Sequence, residues 1–380
     1  MNAEKSINNI HDEDIHPMDQ ELFELGRFLE QEDIWFKENY DIKYDTYFKS
    51  GGLVKLFICP QSREKMKLAV EKLIKSNIEF KVIGFTSNIL LFDQIEYSVI
   101  LSTKNLTSIR KSDDVVEVDS GYSLQDFVRI AVLAEAHGYE GLEGIPGSIG
   151  GGVCMNAGAY GYAISQNIVS VDCIDEGGKL ITLTKEECGF SHRKSRFQSN
   201  EYIILCARFK FFKGRADAIA DNIETFHIAR HSYQEFVYPN LGSMFSISGD
   251  PYGALLKHEG KIERIIYHAF KLLYKNPLIK FINRKKPRNT AMNNLFSGRF
   301  KHTQYTPSNK SLNILINDGK TSVESHLKYI MEFDRRLGDR FSIENEMIIG
   351  PAYRVDDGFQ ANHQKITSYL RSKSQSVAKV

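Results

Sequence analysis

Apolar and polar residues recur along the chain with two different periods, which predict strands and helices in turn. Residues 53–59 are rich in β-formers, and from Ser62 onward apolar residues recur at helical spacing. Further short strands are predicted over 80–83 and 98–101, which completes a β-α-β unit. The strand over 80–83 runs directly into the small polar turn Gly84-Phe85-Thr86-Ser87-Asn88. Ligands often bind where a strand of such a unit ends.

A second group of elements follows. A strand is predicted over 115–118, and the capping signal at Ser123 opens a helix that we expect Gly138 to stop. Two apolar runs flank Asp175-Glu176-Gly177-Gly178, which predicts a hairpin with strands over 168–174 and 180–183. A long strand over 203–212 and a helix over 216–230 come next.

The last third of the chain changes in composition. Residues 238–245 are rich in turn formers, and residues 262–288 are basic. We interpret the basic run as a solvated face or loop, with an anion or partner site as the alternative. A strand over 312–316 precedes the capping box Thr321-x-x-Glu324, whose helix should end at Gly338. A strand is predicted over 341–349, and the residues from about 359 are polar and expected to fray.

The stretch 141–161, GLEGIPGSIGGGVCMNAGAYG, combines high glycine content with apolar residues and has almost no charge. Seven glycines and a closing Gly161 alternate with residues such as Ile145, Ile149 and Val153. A surface linker would carry polar residues between its glycines. The pattern therefore predicts a buried, tightly turning loop whose backbone amides face a polar ligand, most commonly a phosphate or diphosphate.

Composition narrows the class of protein. The chain has 380 residues, 42% hydrophobic and 26% charged, which suits a globular protein of two or three domains. A net charge of +1 argues against nucleic acid or a membrane surface as partner. The five cysteines form no CxxC pair and the histidines show no metal-ligand spacing, so we predict reduced thiols, a cytoplasmic protein and no metal site. Residues 1–20 do not resemble a signal peptide.

Residues 144–161 resemble a specific family pattern. They read Gly-Ile-Pro-Gly-Ser-Ile-Gly-Gly-Gly-Val-Cys-Met-Asn-Ala-Gly-Ala-Tyr-Gly, against G-I-P-G-[ST]-[VI]-G-G-[AG]-x-x-M-N-A-G-A-Y-G in the flavin loop of the UDP-N-acetylenolpyruvoylglucosamine reductases, also called UDP-N-acetylmuramate dehydrogenases. The order of the other motifs agrees with that family over roughly residues 46–350. The spacing between Arg193 and Ser243 resembles the branch that has a short substrate loop.

The resemblance implies an α+β fold. A vanillyl-alcohol-oxidase-type (PCMH-type) FAD-binding domain of two subdomains, split near residue 105, would cover 45–214. An α+β substrate-binding domain over 215–352 would contain the basic insertion 262–290. Residues 1–44 would be an N-terminal extension and 353–380 a C-terminal tail. The residues implied to bind FAD are Gly84, Ser87, Asn88, Gly144, Pro146, Gly147, Ser148, Gly150, Gly151, Asn156 and Ala157.

The resemblance also implies a reaction and three catalytic residues. NADPH would reduce FAD, and FAD would reduce the enolpyruvyl double bond of UDP-N-acetylglucosamine enolpyruvate in peptidoglycan synthesis. Arg193, in the motif over 190–197, would hold the substrate carboxylate. Ser243, in Gly-Ser-Met-Phe, would be the proton donor, and Glu346 would complete the hydrogen-bonding shell. A nucleotide sugar and NADPH are the implied partners, and a monomer is favoured.

Departures from the family pattern fall on the substrate side. His192 occupies the position of a family tyrosine, and Ser246, Ile247 and Ser248 replace the Lys-Asn-Pro that follows the serine motif. Two alternatives therefore stay open: a paralogous flavin reductase acting on another nucleotide sugar or enol ether, and a non-catalytic FAD-binding module. The second would be expected to lose the catalytic residues, all of which are present.

Overall fold

The computed structural model describes residues 17–231, 233–246, 260–273, 307–337 and 342–377. The helices are α1 Pro17–Gln31, α2 Arg63–Lys75, α3 Leu124–Leu133, α4 Ile149–Cys154, α5 Ala216–His231, α6 Lys261–Leu273, α7 Val323–Leu337 and α8 Gln360–Val377. The strands are β1 Phe36–Asp41, β2 Leu53–Ile58, β3 Lys81–Ile83, β4 Ile89–Leu91, β5 Ile95–Ser102, β6 Ile109–Ser112, β7 Val115–Asp119, β8 Ala136–His137, β9 Gly158–Ala159, β10 Tyr162–Ala163, β11 Ile168–Ile174, β12 Leu180–Thr184, β13 Ile203–Lys210, β14 Phe212–Lys213, β15 Asn240–Ser243, β16 Phe245–Ser246, β17 Pro307–Ser308, β18 Ser311–Ile316, β19 Ser342–Ile343, β20 Glu346–Ile348 and β21 Ala352–Val355.

The first sheet is built around β5, whose residues are buried along nearly its whole length. β5 pairs in parallel with β2 and β3 and antiparallel with β21, and β1 extends the sheet beyond β2. Helices α1 and α2 cover one face, where Leu25, Leu29 and Val70 belong to one buried cluster. The predicted β-α-β unit is confirmed, including the cap of α2, because the Ser62 side chain accepts a hydrogen bond from the Lys65 amide.

The second sheet is antiparallel throughout, in the order β12-β11-β13-β7-β6. The predicted hairpin is confirmed as β11 and β12, and the long strand as β13. Helix α3 packs on this sheet through Phe127, which contacts Tyr139 and Phe209 at ring-centroid distances of 5.3 and 4.7 Å. The glycine-rich stretch contributes Ile149 and Val153 to the same core, so it is buried as predicted.

The third unit combines the sheet β15-β18-β17 with helix α7. Its core is continuous with one face of the first sheet: Phe245 and Phe333 belong to the same buried cluster as Phe92 and Tyr97. Strand β20 leaves this unit and pairs in parallel with β4 of the first. The third unit is thereby attached to the first by both side-chain packing and backbone hydrogen bonds.

Both predicted chain extensions contain integral elements of the first unit. In the stretch assigned to an N-terminal extension, β1 pairs with β2 and α1 carries buried leucines. In the stretch assigned to a tail, β21 pairs with β5, and α8 buries Ile366 instead of fraying. Tyr353 Oη donates to Asp19 Oδ1 at 2.9 Å, which joins the two stretches. Both stretches are mostly polar, and this composition led to the prediction that they are extensions. Each also contains a few apolar residues, which are enough to attach a helix to a sheet.

Three local predictions differ from the structure. Helix α3 ends at Leu133 and not at Gly138, because residues 136–137 form β8. Helix α7 is capped by Ser322, whose Oγ accepts from the Ser325 amide, so the capping box is displaced by one residue. The strand expected over 341–349 is two strands, β19 and β20, separated by a turn. Of the basic insertion 262–290, helix α6 covers the first part and residues 274–290 lie outside the described residues.

Candidate active site

A cavity of about 350 Å³ lies where the three units meet. The turn after β3, the glycine-rich stretch, the loop that carries Arg193, strand β15 and the 344–346 segment all line it. Of the predicted site residues, Gly84, Ser87, Asn88, Gly144, Pro146, Gly147, Ser148, Gly150, Gly151, Ala157, Arg193, Ser243 and Glu346 line this cavity. Asn156 does not, and it is the one predicted site residue that the folding places elsewhere.

The turn after β3 and the glycine-rich stretch lie against each other. Ser87 Oγ donates to the Pro146 carbonyl oxygen at 3.0 Å. Side chains are excluded from the contact, because a Cβ on Gly84 would lie 2.6 Å from Ser148 Oγ. A Cβ on Gly147 would lie 2.8 Å from Ser87 Oγ, and its φ of +129° is strained for any other residue. The two loops can approach this closely only because both positions are glycine.

The turn 84–88 and the glycine-rich stretch together form a cradle of small residues. Whether this cradle fits a diphosphate depends on how many of its backbone amides have no hydrogen-bond acceptor in the protein. In the described part of the chain, the amides of Ser87, Asn88 and Gly147 donate to no protein acceptor. Amide groups of this kind, on small residues that permit close approach, match the oxygens of a dinucleotide diphosphate. The expectation for the rest of the loop is corrected: the Ile149 and Gly150 amides already donate to the carbonyls of Tyr122 and Ser120.

The two asparagines among the predicted FAD residues use their side chains within the protein. Asn156 Nδ2 donates to the Ser191 carbonyl at 2.7 Å, which fixes the loop that carries Arg193. Asn88 Nδ2 donates to the Glu344 carbonyl at 2.6 Å, and Asn88 Oδ1 accepts from Asn345 at 2.8 Å. Only the Asn88 backbone N–H is therefore free for a cofactor, and the Asn88 side chain holds the segment that carries the glutamates.

Ser243 and the glutamate segment reach the cavity on two segments that hydrogen bonds join. The amide of Glu344 donates to the Met244 carbonyl at 2.7 Å, and Asn345 Nδ2 donates to the Leu241 carbonyl at 3.1 Å. The Glu346 amide donates to the Asn88 carbonyl at 2.9 Å. Three segments that are far apart in the sequence are thus fixed to one another by backbone hydrogen bonds.

Two ion pairs line the cavity. Arg193 Nε lies 3.4 Å from Glu344 Oε1 without forming a hydrogen bond, so among the described residues this buried nitrogen has no acceptor. Lys81 Nζ lies 2.6 Å from Glu346 Oε1 and donates to it. Arg193 has a φ of +57°, a conformation that residues other than glycine adopt at a cost where the surroundings demand it. The arginine side chain is therefore held toward the cavity with hydrogen-bonding capacity to spare.

Sequence reasoning missed several residues of the lining, Lys81 and Arg230 foremost. Lys81 lies three residues before the predicted turn, and the only signal is a lysine in a short, otherwise apolar strand. Arg230 lies at the end of α5, 5.6 Å over the Tyr160 ring, and its buried Nη2 has no acceptor among the described residues. A helix of mixed composition gave no reason to select it.

A cluster of metal-ligand type lies away from this cavity. Glu117, Asp172 and Cys206 bring potential ligand atoms within 4.8 Å of one another. Arg208 donates to both oxygens of Asp172, at 2.8 and 2.6 Å, and burial of that carboxyl is outweighed by Arg208, which lowers its pKa. Arg63 of α2 pairs with Glu117 at 2.8 Å. The acidic groups are thus neutralised by two guanidinium groups, of which Arg208 lies in the second sheet and Arg63 joins α2 to that sheet.

The family model described as "FAD binding domain" matches residues 54–184. The protein is therefore a flavoprotein, and the cradle fits FAD, the cofactor that this class of protein binds. The chain is 36% identical over 259 residues to the UDP-N-acetylenolpyruvoylglucosamine reductase of Clostridium novyi, covering 66% of this chain and 84% of that protein. It is 36% identical over 208 residues to the enzyme of the same name from Fervidobacterium nodosum, covering 54% and 67%.

The chain belongs to the UDP-N-acetylenolpyruvoylglucosamine reductase family, as its motifs predicted. The crystal structure of the Thermus caldophilus enzyme of that name superimposes with a TM-score of 0.58 at 19% identity, covering 83% of this chain and 98% of that chain. This likeness and the FAD-domain match confirm the predicted fold class, an α+β flavin domain of the vanillyl-alcohol-oxidase (PCMH) type with a further α+β domain. Within the described residues, no helix is long and apolar enough to cross a bilayer.

Proposed function

We propose that this protein is an FAD-dependent, NADPH-driven reductase that converts UDP-N-acetylglucosamine enolpyruvate to UDP-N-acetylmuramate in peptidoglycan synthesis. Family membership supports the reaction. The observation that carries the proposal is that the glycine cradle, Arg193, Ser243 and Glu346 line a single cavity. Each of these groups alone is an ordinary feature of a folded protein, and the reaction requires them together.

The cradle holds the cofactor. Bound FAD would supply hydride transfer, from NADPH to the methylene carbon of the enolpyruvyl group. The free amides of Ser87, Asn88 and Gly147 bind its diphosphate, and Gly84 allows the close approach that this requires.

Arg193 binds the carboxylate of the enolpyruvyl group. A guanidinium is permanently charged, and the buried Nε has no acceptor among the described residues, so a carboxylate can complete its hydrogen bonding. Negative charge that develops at the carbon next to this carboxylate is stabilised by the same group.

Ser243 donates its hydroxyl proton to that carbon. A serine hydroxyl is a weak acid, but a carbanion-like centre is basic enough to take the proton from a correctly placed donor. Glu346, fixed by its backbone to Asn88, forms the opposite wall and completes the hydrogen-bonding shell around the substrate. We further propose that the protein acts as a monomer in the cytoplasm, where NADPH and nucleotide sugars are available.

The test measures flavin content and the two half-reactions separately. The purified protein should be yellow and should release FAD on denaturation. NADPH should then be consumed in the presence of UDP-N-acetylglucosamine enolpyruvate but not of UDP-N-acetylglucosamine, which lacks the enolpyruvyl double bond. A protein that takes up no FAD would refute the cofactor assignment. A flavin that NADPH reduces but the enolpyruvyl substrate does not reoxidise would instead favour a paralogous substrate.

A further inference from the structure

Among the described residues, the shortest side-chain contact of Lys81 is with Glu346. Lys81 Nζ donates to Glu346 Oε1 at 2.6 Å, a charge-assisted hydrogen bond. The Lys81 side chain is only 15% exposed, against 41% for Glu346. The ammonium is therefore well shielded, whereas the carboxylate is exposed enough to contact a ligand in the cavity.

A second hydrogen bond extends the contact to the loop that carries Arg193. Lys81 Nζ also donates to Asn200 Oδ1 at 2.9 Å. Asn200 follows the 3-10 turn Arg196–Ser199 and has a left-handed backbone, with φ of +66°. One ammonium thus joins β3, the loop between residues 191 and 200, and strand β20.

Lys81 also lies in the framework that shapes the cofactor cradle. It is the first residue of β3, and β3 ends at Ile83, directly before Gly84. The pairing of β3 with β5 fixes the Lys81 backbone, with Lys81 opposite Ile100. The position of the ammonium is thereby set by the same strand that leads into the glycine turn.

We propose that Lys81 is a positioning residue for Glu346. It holds Oε1, so that Oε2 remains for a ligand in the cavity, and it fixes the carboxylate relative to Arg193 through Asn200. The inference rests on the proposed function. Sequence patterns of the family do not select this residue, since the motif begins only at Gly84.

The first experiment compares Lys81→Met with Lys55→Met in the FAD-bound protein. Lys55 is a matched control, because it lies in β2 of the same sheet and pairs with Glu96 at 3.2 Å but does not line the cavity. Lys81→Met should slow flavin reoxidation by the enolpyruvyl substrate about 10- to 100-fold, while reduction by NADPH and the Kd for the substrate change less than about threefold, because misplacement of a catalytic group affects the chemical step. Lys81→Arg should recover part of the rate. Lys55→Met should leave both half-reactions near the wild-type values.

The second experiment is a double-mutant cycle with Glu346→Gln. If Lys81 acts through Glu346, the double variant should reoxidise no more slowly than Glu346→Gln alone. The thermal unfolding temperatures of the FAD-bound variants should likewise be non-additive for Lys81→Met with Glu346→Gln, and additive for Lys55→Met with Glu346→Gln.

The outcomes separate the two claims. An active wild type in which Lys81→Met behaves like Lys55→Met, or in which the losses of the double variant are additive, would overturn the role of Lys81 and leave the proposed function standing. A wild type whose reduced flavin is not reoxidised by the enolpyruvyl substrate would overturn the proposed function and the inference with it.

Discussion

The imidazole Nε2 of His192 lies 3.2 Å from the hydroxyl of Ser246, within hydrogen-bond distance. These are two of the positions at which the sequence departs from the family pattern, and they contact each other. His192 precedes Arg193, and Ser246 lies in β16, just after the strand that carries Ser243. The contact therefore joins the two segments that supply the proposed carboxylate-binding and proton-donating groups.

We predict that His192 and Ser246 act as a pair. His192→Ala and Ser246→Ala should each lower kcat/KM roughly two- to tenfold, the range of one net hydrogen bond. The double alanine variant should be no worse than either single variant. Stopped-flow reoxidation of the flavin provides the measurement. Ser199→Ala, which removes only local hydrogen bonds to residues 196 and 201, is the control. Multiplicative losses would show that the two positions act independently.

Ser243→Ala should separate the half-reactions. Flavin reduction by NADPH needs no proton from Ser243 and should survive, whereas reoxidation by the enolpyruvyl substrate should fall by about 10²- to 10⁴-fold, the usual contribution of a general acid. Ser311→Ala, in the adjacent strand β18 and away from the cavity lining, should leave both rates unchanged. Equal losses in both half-reactions would refute the role of proton donor.

Gly147→Ala should weaken FAD binding. The new methyl group would lie 2.8 Å from Ser87 Oγ, and the backbone has a φ of +129°, so both the contact between the loops and the local conformation are disturbed. Gly161→Ala is the control, because its φ is +85° but no atom lies within 4 Å of the added Cβ. We expect the Kd for FAD, measured by flavin fluorescence, to rise at least about tenfold for Gly147→Ala, which corresponds to about 1.4 kcal/mol. The Gly161 variant should retain near-normal affinity.

Asn88→Ala should impair the substrate half-reaction more than cofactor binding. The Asn88 side chain bonds to the segment with Glu344 and Asn345, and only its backbone amide is free for the diphosphate. The Kd for FAD should therefore change less than about threefold, while reoxidation slows at least about tenfold. A colourless variant whose reoxidation rate is normal after FAD is added back would mean that the side chain binds the cofactor.

The buried thiols should be unreactive in the native protein. Burial raises the pKa of Cys173 and of Cys206 to about 12, and that of Cys188 to about 11, so almost no thiolate is present at pH 8. A colorimetric thiol reagent should titrate these residues only after unfolding. Because the unfolded chain releases these protons near pH 9 and the folded chain does not, the free energy of unfolding should fall as the pH rises from about 9 toward 12. Thermal unfolding measured between pH 8 and 10.5 checks the sign.

Much of the flavin side could be predicted from the sequence because its determinants are local. The cradle requires small residues at fixed spacing, at position 84 and from Gly144 to Gly161. A requirement of this kind can be read directly from the sequence. The roles of individual side chains were less accessible. Asn88 and Asn156 stand in a recognisable motif, yet their amides bond to Glu344 and Ser191, which are distant in sequence.

The substrate side depends on long-range pairings that no local pattern encodes. Lys81 is 265 residues from Glu346, and the ion pair exists only because β20 adds to β4. The polar stretches at either side of the flavin domain were misassigned for the same reason. A strand such as β1, with mostly exposed residues, is recognised by the neighbour with which it pairs rather than by its own composition.

The first unit is completed late in synthesis of the chain, because β21 joins its sheet and β20 pairs with its strand β4. Residues 342–355 are made long after the two glycine loops, and the pairings of β20 with β4 and β21 with β5 span some 250 residues of chain, which makes them slow to form. The Glu346 amide donates to the carbonyl of Asn88 in the first glycine turn, and β4 begins directly after that turn. A chain that ends before residue 342 therefore lacks both Glu346 and the strand that holds this turn, so the cofactor cradle and the glutamate segment are completed together.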